Sequence, residues 1–120
     1  MKEKILVVDD DSSIVELIQL ILEQKGFDVR TNETGANLSE IINEFLPDLI
    51  LLDIRLPNNR LGTEICKELK QKYSIPIILF SAERQVLYKD CNADDFIAKP
   101  FEIKNLVDTI KMHLKSGEKV

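Results

Sequence analysis

The chain has 120 residues, the size of one ordinary domain, and 44% of them are hydrophobic, enough to bury a core. Charged residues make up 31% and the formal net charge is -5, so direct nucleic-acid binding is not expected, since the phosphate backbone attracts Lys/Arg stripes. No apolar run is long enough to span a bilayer, so no membrane partner is expected.

The chain opens Met1-Lys2-Glu3-Lys4, with no signal-peptide pattern, and goes directly into an apolar run. The two cysteines, Cys66 and Cys91, lack CxxC spacing and a nearby histidine, and read as small buried hydrophobes. These features predict a reducing compartment and a cytoplasmic location.

Strand patterns and helix patterns alternate along the chain. The first strand is expected at Ile5–Val8. Ser13 followed by Glu16 reads as a capping box. Ile14, Leu17, Ile18, Ile21 and Leu22 then make an apolar stripe at helical spacing. Lys25-Gly26 ends this helix with a C-terminal glycine. A weaker strand follows at Asp28–Thr31, then a second stripe through Leu38, Ile41, Ile42 and Phe45, closed by Pro47. Leu49–Leu52 is apolar on consecutive residues, as a strand covered on both faces requires. Ile65, Cys66, Leu69 and Tyr73 mark the third helix, and Ile75–Phe80 the fourth strand, with Pro76 near its start. Only Arg84 to Cys91 has room for a fourth helix, and its stripe is poor. Phe96–Ala98 is the fifth strand. Ile103, Leu106, Val107, Ile110 and Leu114 mark the last helix, and Lys115 to Val120 form a polar tail or the start of a linker. The expected fold class is α/β: a five-stranded parallel sheet, doubly wound as (βα)5, in one domain over residues 1–120.

In open sheets of this kind, sites form at the carboxyl ends of the strands. Asp9, Asp10 and Asp11 follow the first strand, Asp53 the third, Ser81 the fourth and Lys99 the fifth. A single aspartate there is most simply a turn residue or helix cap, and Asp11 is placed for that role. Several converging carboxylates repel one another, however, and such a cluster calls for a cation. Mg²⁺ suits it, being hard and held by carboxylates together with phosphate oxygens. A carboxylate, a cation, a hydroxyl and a lysine around one crevice are what phosphoryl transfer to an aspartate needs.

Three segments carry a close resemblance to one family. Lys4-Ile5-Leu6-Val7-Val8-Asp9-Asp10-Asp11, Pro47-Asp48-Leu49-Ile50-Leu51-Leu52-Asp53 and Ala93-Asp94-Asp95-Phe96-Ile97-Ala98-Lys99-Pro100-Phe101 resemble the receiver domains of bacterial two-component response regulators. The resemblance covers essentially the whole chain. It implies the flavodoxin-like strand order 2-1-3-4-5 and a phosphorylation-driven signalling switch rather than an enzyme, catalysing only its own phosphorylation and autodephosphorylation. It implies Asp53 as the phosphoacceptor, served by a sensor histidine kinase or a histidine phosphotransfer protein in a phosphorelay. It implies Mg²⁺ on Asp9, Asp10, Asp53 and the backbone carbonyl of Arg55. Ser81 and Lys99 are implied as the phosphoryl-binding hydroxyl and ammonium, Ser81 and Phe96 as the switch pair, and Lys99–Pro100 as a cis bond.

Three departures from the family pattern stand out. The Leu56–Gly62 loop is one residue longer and lacks an acidic residue before the glycine. The Ser81–Phe96 stretch is about one helical turn short, which shortens the fourth helix. Asn92 replaces a glycine. Thr109 stands where DNA-binding relatives often carry an interface arginine, so their dimer is not carried over. His113 is expected as a surface residue near a helix C-terminus, and Lys67, Lys70 and Lys72 as a solvated helix face. Three rival readings remain: a degenerate receiver acting as a phosphorylation-independent interaction module, a phosphohydrolase of the haloacid dehalogenase type with Asp9 as nucleophile, and a flavodoxin.

Overall fold

Five strands form one parallel sheet, because their runs are apolar on consecutive residues and need cover on both faces. The structure, a computed structural model, describes residues 2–57, 60–82 and 91–118, the last four and Arg60 by backbone alone. The expected fourth helix falls largely outside the described residues. Among these, the elements run β1 (Lys4–Val8), α1 (Ser12–Gln24), β2 (Asp28–Asn32), α2 (Leu38–Phe45) and β3 (Leu49–Asp53). They continue with β4 (Arg55–Leu56), β5 (Arg60–Leu61), α3 (Gly62–Lys72), β6 (Ile77–Ser81), β7 (Asp95–Ala98) and α4 (Ile103–Glu118).

The sheet order is β2-β1-β3-β6-β7, the flavodoxin-like order expected. Successive strand residues face opposite sides, so each strand feeds two cores. Leu49 and Leu51 join Ile5, Val7, Ile78 and Phe80 on the side covered by α1 and α4. Ile50 and Leu52 join Leu6, Val8, Ile77 and Leu79 on the side covered by α2 and α3. The register sets Val8 beside Leu52, Asp53 beside Phe80 and Ser81 beside Ala98. The carboxyl ends of the four strands β1, β3, β6 and β7 therefore lie side by side. No helix among the described residues is long and apolar enough to cross a membrane.

Several local expectations are corrected. The N-cap of α1 is Asp11, whose Oδ1 accepts from the Ser13 and Ile14 amides at 3.0 and 3.3 Å, in place of a Ser13–Glu16 box. Asp11, two residues earlier and already placed for a turn or cap, offers its carboxylate to the first free amides of the helix. Leu17 and Ile103, counted into apolar stripes, are exposed. His113 is not a free surface residue: its Nε2 lies 2.9 Å from Asp95 Oδ2. Lys70 is likewise no solvated lysine. Its ammonium donates to Asp94 Oδ2 at 3.0 Å and to the Ile75 carbonyl at 3.2 Å. Asp94 also accepts from the Ile77 amide at 2.8 Å, tying α3 to the starts of β6 and β7. The cysteines are buried as expected, and the fold brings them together, with Cys66 Sγ 3.6 Å from the Cys91 carbonyl oxygen. Asn92, in place of a glycine, takes φ 67°, a left-handed conformation that asparagine tolerates.

The long loop after β3 holds a feature unforeseen from the sequence. Arg55–Leu56 and Arg60–Leu61 pair antiparallel as the short ribbon β4–β5. The ribbon delivers the chain to Gly62, whose amide donates to the Ile54 carbonyl at 2.6 Å. A methyl group at position 62 would overlap the Asp53 carbonyl and crowd the Ile54 backbone. Only glycine lets α3 begin against the residue that ends β3. Gly62→Ala should therefore cost at least about 2 kcal/mol, since rigid backbone must shift. Urea denaturation checks this, and a cost below about 0.5 kcal/mol, the level of an ordinary surface change, would show that the contact yields freely.

Candidate functional site

Each of the three consecutive aspartates after β1 has its own environment. Asp9 is fully buried. Its Oδ1 accepts from the Asp11 amide at 2.9 Å and its Oδ2 from the Lys99 ammonium at 2.9 Å. Asp10 is exposed. Asp11 caps α1. The same turn thus fixes a buried charge, an open one and the start of a helix.

Asp53 ends β3 and is buried, its Oδ1 accepting from the Ile54 amide at 2.8 Å. Lys99 follows β7, and its ammonium lies 3.6 Å from Asp53 Oδ1. The Lys99 amide donates to the Ser81 carbonyl at 2.8 Å, and the Lys99–Pro100 bond is cis, as anticipated. Ser81 is buried at the end of β6. Asp9, Asp10, Asp11, Asp53, Arg55, Ser81, Ala82 and Lys99 line one open crevice of about 310 Å³. Phe96 stands apart from this crevice, half-buried in β7 against the α2–α3 core.

Charge in the crevice is unbalanced. Asp9, Asp10 and Asp53 each offer an oxygen, all within 4.8 Å of one another. Lys99 is the ammonium that faces Asp9 and Asp53. Burial, and then the Asp9 charge, push the Asp53 carboxyl from 3.8 up to about 6, against the opposing pull of Lys99. An all-oxygen cluster with excess negative charge fits a hard divalent cation such as Mg²⁺ and offers nothing to a soft one.

One further feature of the site has no sequence signal. The Lys99 ammonium lies 4.5 Å from the ring centroid of Phe80, in which an apolar strand residue proves to border the charged cluster. Arg55 also lines the crevice, where its carbonyl was expected. Cys66 and Cys91 belong to a different place. Burial, then the neighbouring Cys91 thiol, raise the Cys66 thiol well above its ordinary range, so it stays protonated and unreactive.

The Asp53 environment makes stability depend on pH. Its folded-state value lies above the ordinary 3.8, so between 3.8 and about 6 the folded protein binds more protons than the unfolded chain. Stability from this group is therefore present at the acid end of that window and is lost as pH rises through about 6. The loss is at most about 3 kcal/mol. In EDTA, Asp53→Asn should become increasingly more stable than wild type as pH rises from about 4 to 7, then hold level. Urea melts of both proteins across this range check it, and a difference independent of pH would mean that the carboxyl is not held up.

Comparison with known proteins places this geometry. The model of the response regulator receiver domain matches residues 5–111. A receiver domain protein of Methanospirillum hungatei JF-1, described as CheY-like, is 31% identical with a TM-score of 0.88, covering 98% of each chain. The BeF3-activated N-terminal receiver domain of Klebsiella pneumoniae RstA is 31% identical with a TM-score of 0.88, over 93% of this chain and 98% of that one. NtrX from Brucella abortus is 33% identical with a TM-score of 0.85, over 97% of this chain but 27% of its own longer one. With its strand order, its acidic crevice and a family match over most of its length, the chain belongs to the response regulator receiver domains.

Proposed function

We propose that this receiver accepts a phosphoryl group on Asp53 in a Mg²⁺-dependent reaction and acts as a signalling switch. The observation that carries the reading is the placement of the Asp53 carboxylate between the Asp9–Asp10 cluster and the Lys99 ammonium. The donor is a sensor histidine kinase or a histidine phosphotransfer protein. The receiver unit occupies residues 1–120, works in the cytoplasm, and catalyses only its own phosphorylation and dephosphorylation. Its effector is a separate protein or an output domain.

Asp9, Asp10, Asp53 and the Arg55 carbonyl would hold the Mg²⁺. When bound, it neutralises charge on the phosphoryl oxygens. The Asp53 carboxylate attacks phosphorus in line, and the P–N bond of the donor breaks with its electron pair returning to the imidazole. At neutral pH the carboxyl, held up to about 6, is still mostly ionised and so able to attack. Lys99 sits 3.6 Å from the acceptor oxygen, close enough to pair with an added phosphoryl oxygen by turning from Asp9. Ser81, at the end of the adjacent strand, supplies a hydroxyl that can donate to another.

Phe96 would convert that hydrogen bond into a change of shape. Its ring is already half-buried, so turning fully inward gains only part of the ~2 kcal/mol of a whole ring transfer. A bias of that size shifts a pre-existing two-state equilibrium without rebuilding the fold.

Two outcomes are expected. With Mg²⁺ and acetyl phosphate, wild type should gain one acid-stable, base-labile phosphoryl group, and Asp53→Asn should gain none. Intact-mass measurement checks this, and equal labelling of the variant would remove Asp53 from its role. A degenerate receiver would leave wild type unlabelled, and a hydrolase of the haloacid dehalogenase type would put the label on Asp9. With beryllofluoride and Mg²⁺, amide NMR shifts should extend from Asp9–Asp11 and Asp53 to Ser81 and Phe96–Phe101. Shifts confined to the aspartates would mean that the site loads without moving the aromatic.

A further inference from the structure

The buried Phe80 ring borders the lysine that the chemistry depends on. Phe80 is 1% exposed and cannot swing aside. Its neighbours on β6 are Ile77, Ile78 and Leu79, so the strand itself does not call for an aromatic residue. Asp9 and Asp53 lie 2.9 and 3.6 Å from the Lys99 ammonium, and the Phe80 centroid lies 4.5 Å from it. The Lys99 side chain keeps only 16% of its exposure, so most of its hydration is gone. An aliphatic wall would return nothing for that loss. An aromatic face within about 6 Å carries negative charge density and attracts the cation.

We propose that Phe80 is a positioning residue for Lys99, a fixed aromatic platform on which the ammonium turns from Asp9 toward the phosphoryl group on Asp53. The idea rests on the reading of Asp53 as phosphoacceptor. In that reaction Lys99 must leave or share its 2.9 Å contact with Asp9. Without the ring, the turning ammonium would be drawn back toward water. With it, the attraction changes little as the charge pivots over the face, so Lys99 stays in the crevice while its carboxylate partner changes.

Progressive fluorination of the ring separates this role from plain packing. Monofluoro-, difluoro- and trifluorophenylalanine at position 80 keep the side chain's shape nearly unchanged while draining negative charge from its face. The rate of Asp53 phosphorylation by acetyl phosphate with Mg²⁺ should fall stepwise, by about five- to tenfold at the trifluoro stage. The same series at Phe27, buried just before β2 at the opposite end of the sheet, should leave the rate unchanged. A second readout needs no phosphoryl transfer. In metal-free wild type the Lys99 ε-methylene protons should be shifted upfield by the ring, and Phe80→Leu should abolish that shift. A rate flat across the Phe80 series, or one falling equally in the Phe27 series, overturns the proposal. So does a Lys99 methylene with no ring-dependent shift. If wild type takes no phosphoryl group, the reading of Asp53 fails instead, and the methylene shift still decides whether the platform exists.

Discussion

The ion pair between Lys99 and Asp9 joins the two ends of the chain that the site needs. These residues are separated by 90 positions, yet their charged atoms meet at 2.9 Å. Asp9 is wholly buried and would be costly to leave unpaired. Its second oxygen holds the Asp11 amide, and Asp11 in turn caps α1. One buried contact therefore fixes the turn after β1, the start of the first helix and the end of the last strand. Asp53 is then buried beside the Asp9 charge, and burial first, that charge second, hold its carboxyl up near 6.

The same arrangement makes function and stability oppose each other. A sheet with its carboxyl ends aligned concentrates like charges where folding alone would keep them apart. The fold tolerates this because β3 is buried on every residue and sits between β1 and β6, anchored in both cores. Local strain at the site is thus borne by global packing. The close approach of Gly62 to the Asp53 backbone belongs to the same economy of space, since any side chain there would push on the end of β3.

Much of this was readable in the residues. Strands covered on both faces show as consecutive apolar runs, and the site aspartates, Ser81 and Lys99 follow those runs directly, so their placement in one crevice was anticipated. What escaped depended on which of several competent groups met which partner. Ser13 with Glu16 carries the letters of a capping box, yet Asp11, already placed for a turn or cap, holds the helix start. His113 and Lys70 looked like surface residues because their partners, Asp95 and Asp94, lie 18 and 24 residues away. Leu17 fits the helical period of a buried stripe but falls at its rim, where it is exposed. The β4–β5 ribbon has only two residues per strand, too few for any alternation to register. Phe80 reads as one more core residue, and nothing in its neighbours announces the ammonium above its ring.

The sheet order also limits strand pairing between copies of the molecule. Open edges of a sheet invite strand addition by another chain, and crowded signalling proteins must avoid that. Here the edges are β2 and β7. β2 alternates a single buried valine with exposed Asp28 and Arg30, so an incoming strand would have to bury charge. β7 has four residues and begins with Asp95, whose carboxylate is already engaged by His113 and by the Phe96 amide. The long hydrophobic strands β1, β3 and β6, which would aggregate most readily, are all internal. The topology that gathers the acidic crevice thus also keeps the adhesive strands out of reach.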